Sequence, residues 1–225
     1  GPRQHAVEAV LQPDASRAGL QNSLYSVLAG AAFAVHQALW KEAAKHGFDI
    51  RDFNATYLLV IARRFEGEWF AASFSIGDGG AGLIDGDGRL TLLSCPDAGP
   101  FAGQTLFITM RSVFTDAGAL ARRIHIRRAA SVRMIALMTD GVTDPRFETD
   151  ANFKNQDLWH QLHGEVLTAV EGAPDGTAAA AGLLEWLDFW SPGNHDDRTI
   201  VAGLPTPIST PMPAPDVNPR PDSAS

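Results

Sequence analysis

The sequence predicts an α+β protein built in layers: one long helix, a run of hairpin-linked strands, two more helices and a closing strand. Two observations carry this. The strand candidates follow one another through short turns rather than alternating with helices, which disfavours a doubly wound parallel sheet. Hydrophobic residues form 45% of the 225 residues and charged residues 20%, so the body can bury a core.

The elements follow in order. HAVEAVLQ (5–12) reads as the end of a helix broken at Pro13. Residues 17–46 read as one helix, because Leu20, Leu24, Val27, Leu28, Ala31, Val35, Ala38 and Leu39 keep the 3.6-residue period. Ser16 is placed to cap it and Gly47 to end it. The segment 55–64 is a strand whose continuous apolar run, Tyr57 to Ile61, predicts burial on both faces. Glu66-Gly67 turns the chain into a second strand at 68–77. After a glycine-rich corner, AGLID and RLTLLS flank Asp85-Gly86-Asp87-Gly88, a hairpin turn. TLFITM (105–110), RRIHIRR (122–128) and VRMIALMTD (132–140) are three further strand candidates. Helices are expected over about 154–172 and 177–190, and a last strand over 198–205.

Composition narrows the function. Seven of the 14 prolines lie in 205–225, so that stretch is expected to be a disordered or polyproline-like tail. No apolar run approaches the roughly 18–20 residues that cross a bilayer. The single cysteine, Cys95, precludes an internal disulfide and a multi-cysteine metal site, which fits a reducing, cytoplasmic setting. A net charge of −8 argues against a nucleic-acid backbone binder. Gly1-Pro2 has the look of a cleaved expression tag.

Three acidic motifs stand at strand ends. They are Ile76-Gly77-Asp78-Gly79, Met138-Thr139-Asp140-Gly141-Val142-Thr143-Asp144 and Asn194-His195-Asp196-Asp197-Arg198-Thr199. A carboxylate followed by glycine is held by the strand while the chain turns away, leaving its oxygens free. Carboxylates without a Cys or His cluster suit hard cations such as Mg²⁺ or Mn²⁺. Any one Asp-Gly pair is ordinarily a plain turn, and Asp85-Gly86-Asp87-Gly88 is read as one. His160 and His163, spaced i, i+3, read as a surface or boundary pair. Trp186 and Trp190 read as packing, and Cys95 has no basic neighbour to activate it.

Together the three motifs resemble the signatures of the metal-dependent protein phosphatases of type 2C. Thr139-Asp140-Gly141-Val142-Thr143-Asp144 resembles the Ser-Asp-Gly-x-x-Asp motif. Gly193 to Val201 resembles the closing Asp-Asn/Asp-x-Thr motif, and Gly77-Asp78-Gly79 resembles Gly-Asp-Ser/Gly. Asn54-Ala55-Thr56 stands where an Ala-Thr-Thr strand start is usual. The similarity covers about 3–204 and looks closest to the compact bacterial branch.

The resemblance implies a four-layer α-β-β-α sandwich of two antiparallel sheets flanked by helix pairs. It implies Asp140 and Asp196 as catalytic ligands of a two-ion Mg²⁺ or Mn²⁺ centre. Asp78 with Asp140 would hold a looser third ion, and Asp144, Asp197 and His195 would stand beside the site. The implied reaction is hydrolysis of phosphoserine or phosphothreonine by a metal-bridging water. The implied partners are a phosphorylated protein and a Ser/Thr kinase, with no nucleic acid and no membrane. The family also carries an early bridging Asp and an Asp-Gly-x-Gly motif, and nothing before residue 50 matches either. The expectation is therefore a domain, 3–204, lacking its N-terminal strands, which folds poorly alone or needs that segment as a partner. The alternative is a catalytically impaired pseudophosphatase acting as a binding or regulatory module.

Overall fold

The computed structural model describes residues 17–94, 105–189, 193 and 196–205. Helix α1 (Arg17–His46) forms where the apolar period places it. Leu20, Leu24, Leu28 and Ala32, spaced by four, are all buried and so mark one face of the helix. Gly47, at φ 69°, ends the helix in the left-handed conformation that glycine adopts at little cost.

Strands β1 (Tyr57–Phe65), β2 (Glu68–Ile76), β3 (Gly80–Asp85), β4 (Leu90–Leu92), β5 (Ile124–Ala129), β6 (Val132–Met138) and β7 (Ile200–Gly203) make two sheets. One has the order β1-β2-β5 and the other β4-β3-β6-β7. Every pairing is antiparallel. The chain crosses from one sheet to the other at Gly77–Gly79, between β2 and β3.

Three apolar clusters define the layers. The first joins α1 to β2 and β5 through Leu24, Leu28, Phe74, Ile76 and Ile124. The second includes Ala71, Ala81, Leu83 and Ile135, so it lies between the sheets. The third joins β6 to helix α6 (Gln156–Ala169) and helix α7 (Gly176–Leu187). Trp159 anchors it, fully buried, with its indole N–H donated to Phe153 O at 2.7 Å. The sequence of layers is helix, sheet, sheet, helix pair, which gives the four α-β-β-α layers, although among the described residues the first flank carries one long helix rather than a pair.

Several expectations change. Tyr57–Ile61 is half-exposed rather than buried on both faces, because among the described residues β1 pairs only with β2 and lies at the sheet edge. The strand buried along its length is β2, from Phe70 to Ile76. Residues 105–110 form no strand. Their backbone groups are taken one at a time by other partners: Ile108 N–H donates to Ala55 O at 3.0 Å, His36 Nδ1 donates to Ile108 O at 2.8 Å, and Trp40 Nε1 donates to Thr109 O at 3.0 Å. Short helices α2 (Ser112–Thr115) and α3 (Ala117–Arg122) follow, so β5 starts only at Ile124.

Strand β6 stops at Met138, and Asp140 opens helix α4 (Asp140–Phe147), which the sequence reading lacked. Helix α5 (Asp150–Phe153) was also missed. The two late helices are shorter than expected. The 5–12 helix end, Cys95, Asn194, His195, Trp190 and the tail from 206 lie outside the described residues.

Candidate active site

Strand register decides where the acidic motifs meet. Gly80, the first residue of β3, pairs with Met138, the last residue of β6. Met138 also pairs with Ile200, the first residue of β7. Asp78 lies two residues before Gly80, Asp140 two after Met138, and Asp196 four before Ile200. All three motifs therefore leave the same end of three adjacent strands.

The backbone there is close-packed. Gly77 has φ 105°, and Thr56 fills the space a side chain would need. A Cβ on Gly79 would come within 2.7 Å of Met138 O. One on Gly141 would overlap the Asp197 carbonyl and approach Asp196 O to 3.2 Å. Glycine lets the start of α4 lie directly against the 196–197 backbone. Thr139 ties the same two segments. Its hydroxyl donates to Asp197 O at 3.2 Å and accepts from Thr199 N–H at 3.0 Å, and its own N–H donates to Thr199 O at 3.1 Å.

The carboxylates are few in local partners and rich in like charge. Asp140 Oδ1 accepts from Gly141 N–H at 2.9 Å, and Asp196 Oδ1 accepts from Asp197 N–H at 2.8 Å. Asp78 Oδ2 accepts from the Thr105 hydroxyl at 2.7 Å, while its Oδ1 is buried with no hydrogen-bond partner. Partial burial pushes the Asp140 carboxyl above the usual carboxylate range. The Gly141 amide opposes this, and the charges of Asp78 and Asp196 reinforce it. Asp144 is raised by shielding of its carboxyl and then by Asp140, Asp78 and Asp196, although the residue as a whole is solvent-exposed. These four aspartates thus share one electrostatic site.

Beside them lies a cleft of about 120 Å³ lined by Asp78, Thr143, Asp144, Glu148 and Asp150 among others. Asp197 reaches this region through its main chain, which braces Thr139 and Gly141. His160 donates to Gly88 O at 2.6 Å in the β3–β4 turn, and burial lowers His163, so that pair belongs to the α6 boundary. Asp85 Oδ1 accepts from the amides of Asp87 and Arg89, which makes its loop a plain turn.

The donor chemistry fits a hard divalent cation: carboxylate oxygens only, crowded negative charge, and a buried carboxylate oxygen without a partner. Among the described residues no three His, Cys, Asp or Glu side chains form a closed ligand cluster. Thr105 and Thr139 are the contributors that sequence reasoning missed. No local pattern marks Thr105, whereas Thr139 stood inside a recognised motif without a role.

A layered α+β fold with an acidic site at one sheet end agrees with what the sequence comparison finds. The profile described as Protein phosphatase 2C matches residues 4–188, and the chain belongs to that family. The match takes in Asp78, Asp140 and Asp144 and ends before Asp196. No curated protein matches the chain. Among solved structures, it is similar to PppA, a key regulatory component of T6SS in Pseudomonas aeruginosa. That likeness has 15% identity and a TM-score of 0.42, over 88% of this chain and 75% of the other. It is also similar to the phosphatase domain of the cell fate determinant SpoIIE from Bacillus subtilis. There the identity is 14% and the TM-score 0.35, over 77% of this chain and 72% of the other. The Mn-presoaked form of that domain gives 13% and 0.38, over 91% and 75%. No helix among the described residues is long and apolar enough to cross a membrane.

Proposed function

We propose that this protein phosphatase domain is metal-dependent and acts on phosphoserine or phosphothreonine in a protein substrate. The observation that carries the reading is the β3–β6–β7 register, which places Asp78, Asp140, Asp144 and Asp196 at one sheet end. Four carboxylates in one place repel a phosphate ester, so productive binding requires the negative charge to be neutralised. Asp140 and Asp196 are the residues proposed to hold the Mg²⁺ or Mn²⁺ pair, and Asp78 with Asp140 a third ion. Bound there, the cations would supply Lewis acidity toward water and toward the phosphoryl oxygens. The chain's own part is to fix the donors. Thr139 locks the 197–199 segment to the end of β6, and Gly141 lets α4 approach Asp196 and Asp197. The raised protonation tendency of Asp140 and Asp144 comes first from burial of their carboxyls and then from the like charges around them.

The test is Mn²⁺-dependent hydrolysis of an aryl phosphate and of a phosphothreonine peptide. Asp140→Asn and Asp196→Asn should each lower turnover by a hundredfold or more. Turnover that ignores both substitutions overturns the assignment. Absence of metal-dependent turnover, with the fold intact, favours the pseudophosphatase alternative.

A further inference from the structure

Among the described residues, the Asp78 carboxylate takes its hydrogen bond from a residue 27 positions away. Thr105 donates its hydroxyl to Asp78 Oδ2 at 2.7 Å, and both side chains are partly buried. The other oxygen, Oδ1, is buried without a partner. A carboxylate attached through two rotatable bonds keeps one orientation only if something holds it, and a hydrogen bond to one oxygen fixes the plane of both.

Thr105 is in turn held in place. Three residues on, Ile108 is 1% exposed, gives its N–H to Ala55 O and receives His36 Nδ1 on its carbonyl. Thr109 is bonded on its carbonyl by Trp40 Nε1 and through its hydroxyl to Asn54 Oδ1 at 2.5 Å. Residues 105–109 form a strap, pinned to α1 and to the start of β1, whose first residue reaches the acidic site.

Building on the cation site proposed above, we infer that Thr105 is a positioning residue for Asp78. Its hydroxyl occupies Oδ2 and leaves Oδ1 to a divalent cation. Removing the hydroxyl leaves the shape of the strap intact and frees the carboxylate to rotate. Cation affinity should then fall while the fold persists.

The experiment is calorimetric titration of the full chain with MnCl₂, comparing wild type, Asp78→Asn, Thr105→Val and Thr105→Ser, with circular dichroism melts of each metal-free variant. Thr105→Val should weaken Mn²⁺ binding about tenfold, the usual scale for losing a group that orients a ligand. Thr105→Ser keeps the donor and should stay within about twofold of wild type. If Thr105→Val binds like wild type while Asp78→Asn is weakened, the role of Thr105 is wrong and the cation site stands. A serine variant as weak as the valine one also overturns it, since bulk rather than the donor would matter. If Asp78→Asn itself binds Mn²⁺ like wild type, Asp78 is no ligand, and the role of Thr105 falls together with the third-ion assignment, while the pair proposed at Asp140 and Asp196 is judged by its own variants. Should Thr105→Val unfold, Thr105→Ala provides the same comparison.

Discussion

Gly141→Ala sets two effects against each other at the start of α4, and their magnitudes decide the outcome. Alanine is the better helix former by about 0.8–1 kcal/mol. Nothing in the backbone of Gly141 requires glycine, since it is not among the residues with positive φ. Yet the added methyl would sit 3.0 Å from the Asp197 carbonyl carbon, 3.2 Å from Asp196 O and closer still to Asp197 O. Ordinary contact begins at 3.4 Å, so the two segments must part by about 1 Å. The obstacle is backbone on both sides, and it is braced by Thr139, so no side chain can swing clear. Overpacking of this kind costs about 1–3 kcal/mol, enough to match or exceed the propensity gain. The expected result is a melting temperature lower by a few degrees. The larger effect should fall on activity. Moving Asp140 about 1 Å from Asp196 should reduce Mn²⁺-dependent turnover about a hundredfold. Calorimetric melting and aryl phosphate hydrolysis measure the two. A variant with wild-type turnover and an unchanged or higher melting temperature would refute the claimed packing.

Three further outcomes can be checked. Because the folded-state pKa values of Asp140 and Asp144 are raised, the folded protein holds protons that the unfolded chain has released; metal-free stability should therefore decline as pH rises from about 4 through the elevated pKa values, and Asp144→Asn should flatten that decline in melts across pH 4–8. Mn²⁺ at a hundred times its dissociation constant should stabilise the wild type by about 2.7 kcal/mol, and Asp140→Asn should remove most of this. Glu165 pairs with Arg146 at 2.5 Å and accepts from Trp186 Nε1 at 3.0 Å, both ion-pair side chains being about a quarter exposed, so Glu165→Ala should cost about 2–3 kcal/mol in denaturant titration, and a change under 0.5 kcal/mol would count against that network.

Much of the fold was legible because periodicity is local. The α1 stripe of Leu20, Leu24 and Leu28 and the turn at Asp85–Gly88 are written in residues a few positions apart. The errors fall where partners are distant. TLFITM has a strand's composition, yet His36, Trp40 and Ala55 take its backbone groups. The apolar run of β1 suggested a central strand, but its place in the sheet is set by which strands pair with it, not by its own residues.

The same division holds for the site. The sequence alone determined that Asp78, Asp140 and Asp196 stand beside strands, because each directly precedes or follows a β pattern. That they share one end of one sheet was decided by the pairing of Gly80 and Ile200 with Met138. Thr105 was decided the same way. Hydrogen-bond pairing between segments 27 to 60 residues apart leaves no local periodicity, so only the folded chain brings Thr105 to Asp78 and Thr139 to the 197–199 segment.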